Sequence, residues 1–286
     1  MESSTCTTRH FLTRSGIQIQ ADFWGELNEN SVVLLHGGGQ TRHSWGSTAA
    51  VIASKGWCAI SVDLRGHGMS GWAPDGEYGL NGFAEDIDSV IQEIGVSPVL
   101  VGASLGGLTG MYLEGHLRPG SIRSLVLVDV VPRMNPKGVE GVKSFMYEHM
   151  QSGFATLKEA AEAISAYNPQ REIPSDLEGL KKNLYQRDGR WFWHWDPAFM
   201  ENTRTPQRLG MQDSDFLHRV CEAIEVPMLL VRGRLSDLVT EVEAEIFLSD
   251  FPNASYVDVS GAGHMVAGDK NDVFTKAIVD FLDLMT

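Results

Sequence analysis

Apolar and polar positions change rhythm repeatedly along this chain. SVVLLH (31–36), WCAISVD (57–63), SPVLVG (97–102), IRSLVLVDVV (122–131), VPMLLVRG (226–233) and ASYVDVSG (254–261) are short apolar runs, most of them rich in β-branched residues. Strands that are apolar throughout suit a sheet covered by helices on both faces. Between these runs lie stretches with helical spacing: 44–56, 82–95, 105–117, 240–251 and 271–285. In GFAEDIDSVIQEIG (82–95), Phe83, Ile87, Val90, Ile91 and Ile94 share one helical face. Ahead of them, alternation around Ser15-Gly16, from about Arg9 to Gly25, predicts a two-stranded hairpin. Strands alternating with helices imply βαβ units and a mostly parallel α/β sheet, here of eight strands.

The rhythm breaks at Pro132. From there to about Glu225 the pattern is helical and rich in aromatic residues, with no good strand, and it contains WFWHWDP (191–197). The expected organisation is therefore a core formed by residues 1–131 and 226–286, with residues 132–225 inserted as a helical cap. Such a cap would sit over the carboxyl edge of the sheet, where ligands bind in open α/β sheets.

That edge is also where the candidate chemistry falls. Gly102-Ala103-Ser104-Leu105-Gly106 has the form G-x-S-x-G, placed directly after a strand and before a helix. A turn that sharp strains the serine backbone and needs glycine where neighbouring backbone comes close. Ser104 is then presented at a helix N-terminus, which favours developing negative charge. A serine hydroxyl needs a base to take its proton. His264, in Gly261-Ala262-Gly263-His264-Met265 after the last strand, is the candidate. The base in turn needs an orienting carboxylate. Asp237 follows the strand VPMLLV and lies between Ser104 and His264 in sequence, so it is favoured. Asp129, at the end of LVLVDVV, is its rival. Acyl transfer also requires preorganised N–H donors for an oxyanion. The amide of Leu105 is one, and His36-Gly37-Gly38-Gly39 supplies the other from Gly38, with Gly39 as the alternative.

HGGG (36–39), DLRGHGMS (63–70), GASLGG (102–107), Asp237 and GAGHM (261–265) together resemble the α/β-hydrolase superfamily. The similarity runs from about Val32 to Val131 and from Val226 to the end. It implies the α/β-hydrolase fold, and within that fold Asp63, Arg65 and His67 would brace a loop. The resemblance is nearest to the branch holding esterases, lactonases, cofactor-free haloperoxidases and epoxide hydrolases. Epoxide hydrolases and haloalkane dehalogenases carry an aspartate at the elbow. Ser104 stands there instead, which implies an acyl-enzyme and a carboxylic ester or lactone as substrate. A cofactor-free haloperoxidase or perhydrolase, a dioxygenase or a C–C bond hydrolase on the same fold is the alternative, and a binding protein that retains the pocket is a third. No metal and no cofactor are expected.

Aromatic residues of the inserted segment add a substrate preference. Trp191 and Trp193, with Gly37, Gly39 and Met265, are expected to line a pocket for a hydrophobic small molecule. Lys+Arg total 23 against Asp+Glu 37, a net charge of -14, which disfavours nucleic acid and anionic membranes as partners. The three cysteines are scattered, without disulfide or zinc spacing. No apolar leader or spanning stretch is visible, so a cytoplasmic monomer or homodimer is expected.

Overall fold

The structure is a computed structural model, and it describes residues 6–168, 173, 175–201, 213–265 and 271–285. Its eight-stranded sheet contains β1 (Thr7–Leu12), β2 (Gln18–Trp24), β3 (Ser31–Leu35), β4 (Cys58–Val62), β5 (Val99–Ala103) and β6 (Ser124–Val128). The remaining two strands are Met228–Gly233 and Ala254–Val259 (β9 and β10, numbered after a separate hairpin). The spatial order is β1-β2-β4-β3-β5-β6-β9-β10. β1 and β2 form the antiparallel hairpin anticipated around Ser15-Gly16, β2 pairs antiparallel with β4, and every later pairing is parallel.

All five residues of β3, β4, β5 and β6 are buried, as the unbroken apolar runs require. Their side chains alternate between two apolar layers. Val33 and Leu35 face the layer that holds helices α2 (Leu80–Ile94) and α3 (Leu105–Tyr112). Val32 and Leu34 face the layer that holds α1 (Gly46–Ser54) and the C-terminal helix Thr275–Asp283. Helices on both faces leave only the strand ends open to a ligand. The parallel register pairs Leu35 with Gly102, Ala103 with Val128, and Val128 with Val231. The chain therefore leaves β3, β5, β6 and β9 at one common edge, bringing residues 36–39, Ser104, Asp129 and the loop after Gly233 together.

Between β6 and β9 the chain departs from the sheet. It forms α4 (Pro136–Glu148) and α5 (Leu157–Tyr167), a hairpin of β7 (Leu184–Arg187) and β8 (Arg190–Trp193), the single turn α6 (Ala198–Glu201) and α7 (Ser214–Glu222). Asn135 caps α4 by accepting from the N–H groups of Lys137 and Gly138, with Pro136 at the first helical position. The hairpin corrects the expectation of a segment without strands. Its turn, Asp188-Gly189, has positive φ at both residues (51° and 75°), the backbone of a tight two-residue hairpin. No described helix is long and apolar enough to cross a membrane.

Candidate active site

Ser104 sits between β5 and α3 with φ 46° and ψ −111°, a region non-glycine residues rarely occupy. The sequence makes that conformation possible by removing Cβ atoms around it. A Cβ on Gly102 would lie 2.3 Å from the backbone carbon of Gly106, and one on Gly106 would lie 2.6 Å from Leu35 Cβ. Backbone bonds hold the strained residue in place. The Ser104 N–H donates to Val128 O (3.2 Å), and Leu108 N–H donates to Ser104 O (3.0 Å).

The orienting acid is where the structure departs from the sequence reading. Asp129 Oδ2 lies 2.7 Å from His264 Nδ1, and both side chains are buried. Asp129 also takes the positive-φ conformation (53°), which turns its carboxylate back towards the loop after β9. There Oδ1 accepts from Gly233 N–H (3.1 Å) and Oδ2 from Ser236 Oγ (2.7 Å). Asp237, the favoured acid, is exposed. Its backbone oxygen packs against α4, where a Cβ on Gly138 would come within 2.3 Å of it. The carboxylate of Asp129 accepts the Nδ1 proton, so Nε2 is the imidazole nitrogen able to receive a proton from a hydroxyl.

His264 and Ser104 line one cavity of about 430 Å³. Gly38, Leu105 and Met265 line it too. Leu105 is the first residue of α3, so its N–H has no carbonyl partner within the helix. Around Gly38 the neighbouring amides are already engaged. Gly37 N–H donates to Gln40 Oε1 (2.9 Å), and Gly39 N–H to His67 Nε2 (3.1 Å). The Gly38 N–H has no partner among the described residues, which leaves it to the cavity. The same bonds correct the expectation that Gly37 and Gly39 contact substrate, since neither lines the cavity. They also rule out Gly39 as the alternative donor.

Two buried imidazoles set this loop. His36 Nδ1 bonds Gly37 O (2.8 Å) while its Nε2 accepts from Leu64 N–H (3.0 Å). His67 Nδ1 bonds Arg65 O (3.0 Å) while its Nε2 accepts from Gly39. Each ring donates once and accepts once, so each is neutral. For His36, complete burial lowers the pKa to about 4. Asp63 braces from beneath, accepting from Arg42 (2.7 and 2.6 Å) and from Met69 N–H (2.9 Å), while Arg65 pairs with Asp86 (2.6 Å).

The rest of the cavity wall is apolar. Leu108, Pro132, Met134, Val142, Met146, Phe199, Leu217 and Leu238 form most of it, with Glu140, Lys143 and Ser214 as polar exceptions. Phe199 and Met146 close in over Gly38, at 3.5 and 3.9 Å from where its Cβ would be. Trp191 and Trp193, expected in the pocket, are absent from its lining. Trp193 packs edge-on to Phe154, with ring centres 5.1 Å apart, and beside Phe145. Trp191 exchanges backbone bonds with Phe154 and lies near the Lys181 ammonium. These rings join the same continuous apolar cluster as the α2–α3 face of the sheet.

Among the described residues no group of His, Cys, Asp and Glu is placed to hold a metal ion. The cysteines are free thiols; burial pushes Cys221 up to about 12, which leaves it protonated and unreactive.

Comparison with known proteins identifies the fold family. The chain is similar to an esterase of Mycobacterium tuberculosis, 32% identical over 277 residues, covering 93% of this chain and 86% of that protein. A crystal structure of the M. tuberculosis esterase superposes with a TM-score of 0.74 at 28% identity, over 99% of this chain and 94% of the other. A 3-hydroxybutyrate-oligomer hydrolase of Cupriavidus necator is 29% identical over 254 residues, 84% of this chain and 85% of that one. Residues 30–270 match the alpha/beta hydrolase fold family, and the chain belongs to that family.

Proposed function

We propose that this protein hydrolyses carboxylic esters, lactones included, of hydrophobic small molecules through an acyl-enzyme on Ser104. One observation carries the reading: a serine strained at a strand–helix turn opens onto the same cavity as an imidazole already bonded to a buried carboxylate. Ser104 Oγ attacks the ester carbonyl carbon while His264 Nε2 takes the hydroxyl proton. The amides of Gly38 and Leu105 receive the negative charge that develops on the carbonyl oxygen. As the tetrahedral intermediate collapses, the imidazolium returns its proton to the departing alkoxide. Water then enters, gives a proton to the same nitrogen and attacks the acyl carbon, and Ser104 leaves with its proton restored. Asp129 keeps the Nδ1 proton in place and offsets the imidazolium charge in both halves.

The substrate class follows from the wall. Apolar side chains dominate around the nucleophile, and a hydrophobic acyl or alkyl chain gains about 0.8 kcal/mol per methylene removed from water. The esterase and oligomer hydrolase to which the chain is similar agree with ester chemistry. The segment from Pro132 to Glu225 acts as the cap that supplies most of this wall.

A fluorophosphonate probe tests the mechanism. It is expected to add one phosphonyl group at Ser104, and Ser104→Ala to abolish both the adduct and turnover of p-nitrophenyl esters while keeping the folded circular dichroism spectrum. An adduct elsewhere, or near-normal turnover by Ser104→Ala, overturns the assignment. A labelled serine without ester turnover points to another reaction on the same machinery.

A further inference from the structure

On the triad reading above, we infer that Ser236 is a positioning residue for the acid, holding its proton on the same Asp129 oxygen that accepts from His264. The direction of this bond is fixed by the other bonds of the hydroxyl. Ser236 Oγ accepts from Leu238 N–H (3.1 Å) and Val239 N–H (3.2 Å). Both of its lone pairs are thereby used, so its one proton lies on the remaining contact, Asp129 Oδ2 at 2.7 Å. The residue is 5% exposed, so water does not compete for the bond. Its own N–H donates to Gly233 O (2.9 Å), which closes the turn that also aims Gly233 N–H at Asp129 Oδ1.

Asp129 Oδ2 therefore serves two donors, the hydroxyl of Ser236 and the imidazole of His264, while the Arg232 guanidinium of β9, bonded to Val239 O and Asp258, acts on the carboxylate only through space. A hydroxyl on that oxygen draws off part of its negative charge. The carboxylate still orients the ring but pulls less strongly on the imidazolium. The two amides feeding the hydroxyl strengthen the effect, because hydrogen bonds in a chain polarise one another. Ser236 touches neither substrate nor the reacting atoms in this scheme; it acts through Asp129.

A purely structural serine would only satisfy the Leu238 and Val239 amides, and the test separates the two roles. Ser236→Ala, Ser236→Thr, Asp129→Asn and the Asp129→Asn/Ser236→Ala pair are assayed for p-nitrophenyl ester hydrolysis from pH 5 to 9, with thermal unfolding as the fold control. Ser236→Ala is expected to lower kcat roughly tenfold, because a carboxylate no longer pinned by the hydroxyl holds the imidazole less well in line, with KM little changed. The acid limb of kcat/KM moves to higher pH, because an unshared carboxylate raises the proton affinity of the imidazole. Ser236→Thr restores rate and limb. In the Asp129→Asn background the alanine costs little more. An acid limb that stays in place or moves to lower pH overturns the proposal, as does an undiminished cost in that background. Wild-type rate in Ser236→Ala with collapse in Asp129→Asn overturns this proposal alone. Wild-type rate in Asp129→Asn overturns the triad reading itself.

Discussion

Two aspartates stood at the right edge of the sheet, and the residue scale decides between them. Asp129 accepts from His264, Ser236 and Gly233 in a buried setting, while Asp237 is exposed. Asp129→Asn keeps the shape but offers the ring no anion, and by analogy with other triads it is expected to cost about three to four orders of magnitude in kcat. Asp237→Asn is expected to stay within about twofold of wild type, since isolated surface changes are near neutral. Steady-state kinetics of both variants on one ester checks the pair. That Ser104, His264, Gly38 and Leu105 meet at one cavity was legible because each is tied to its own strand end by a local motif. The acid was not, because chain order does not report side-chain direction. What marks Asp129 in the sequence is a charge within the apolar run LVLVDVV, a position that remains charged only where it is fully bonded.

At the scale of elements, α3, α4 and α7 enclose the apolar cavity beside the nucleophile. Leu108 contributes from α3, Val142 and Met146 from α4, and Leu217 from α7. Leu217→Phe adds bulk to the cavity wall and is expected to shorten the chain that fits. The ratio of kcat/KM for p-nitrophenyl octanoate over acetate is expected to fall at least tenfold, the loss of two or more buried methylenes at about 0.8 kcal/mol each. An unchanged ratio would place the chain elsewhere. The alternating rhythm exposed the sheet and its helices because full burial leaves strands apolar on both faces. It did not expose the β7–β8 hairpin. There Asp188-Gly189 carries a hairpin signal that went unread, and WFW is apolar without alternation, since Trp191 and Trp193 pack inside the segment as Phe192 lies against Tyr185.

The whole molecule carries a pH dependence from His36. Its folded pKa, near 4, lies below the ordinary value of 6.5 because burial disfavours the cation. Between those values the unfolded chain binds the proton and the folded one does not, so folding stability rises with pH across that window. The contribution is present in full above about pH 6.5 and is lost as pH falls towards 4, up to roughly 3 kcal/mol. Urea unfolding at pH 7 and pH 4.5 is expected to show that loss, and His36→Asn to flatten it. An equally steep loss in His36→Asn would move the dependence to other groups.

Asp129 stands three residues before Pro132, and the polypeptide runs from it directly into the stretch that reaches α4 and the roof over Ser104. The roof's tether and the carboxylate bonded to His264 are thus a single strut, pinned to β9 by the Asp129 N–H on Val231 O. The cavity's wall and the carboxylate that meets His264 therefore share one stretch of polypeptide, so a change in the length of residues 130–135 would displace both at once.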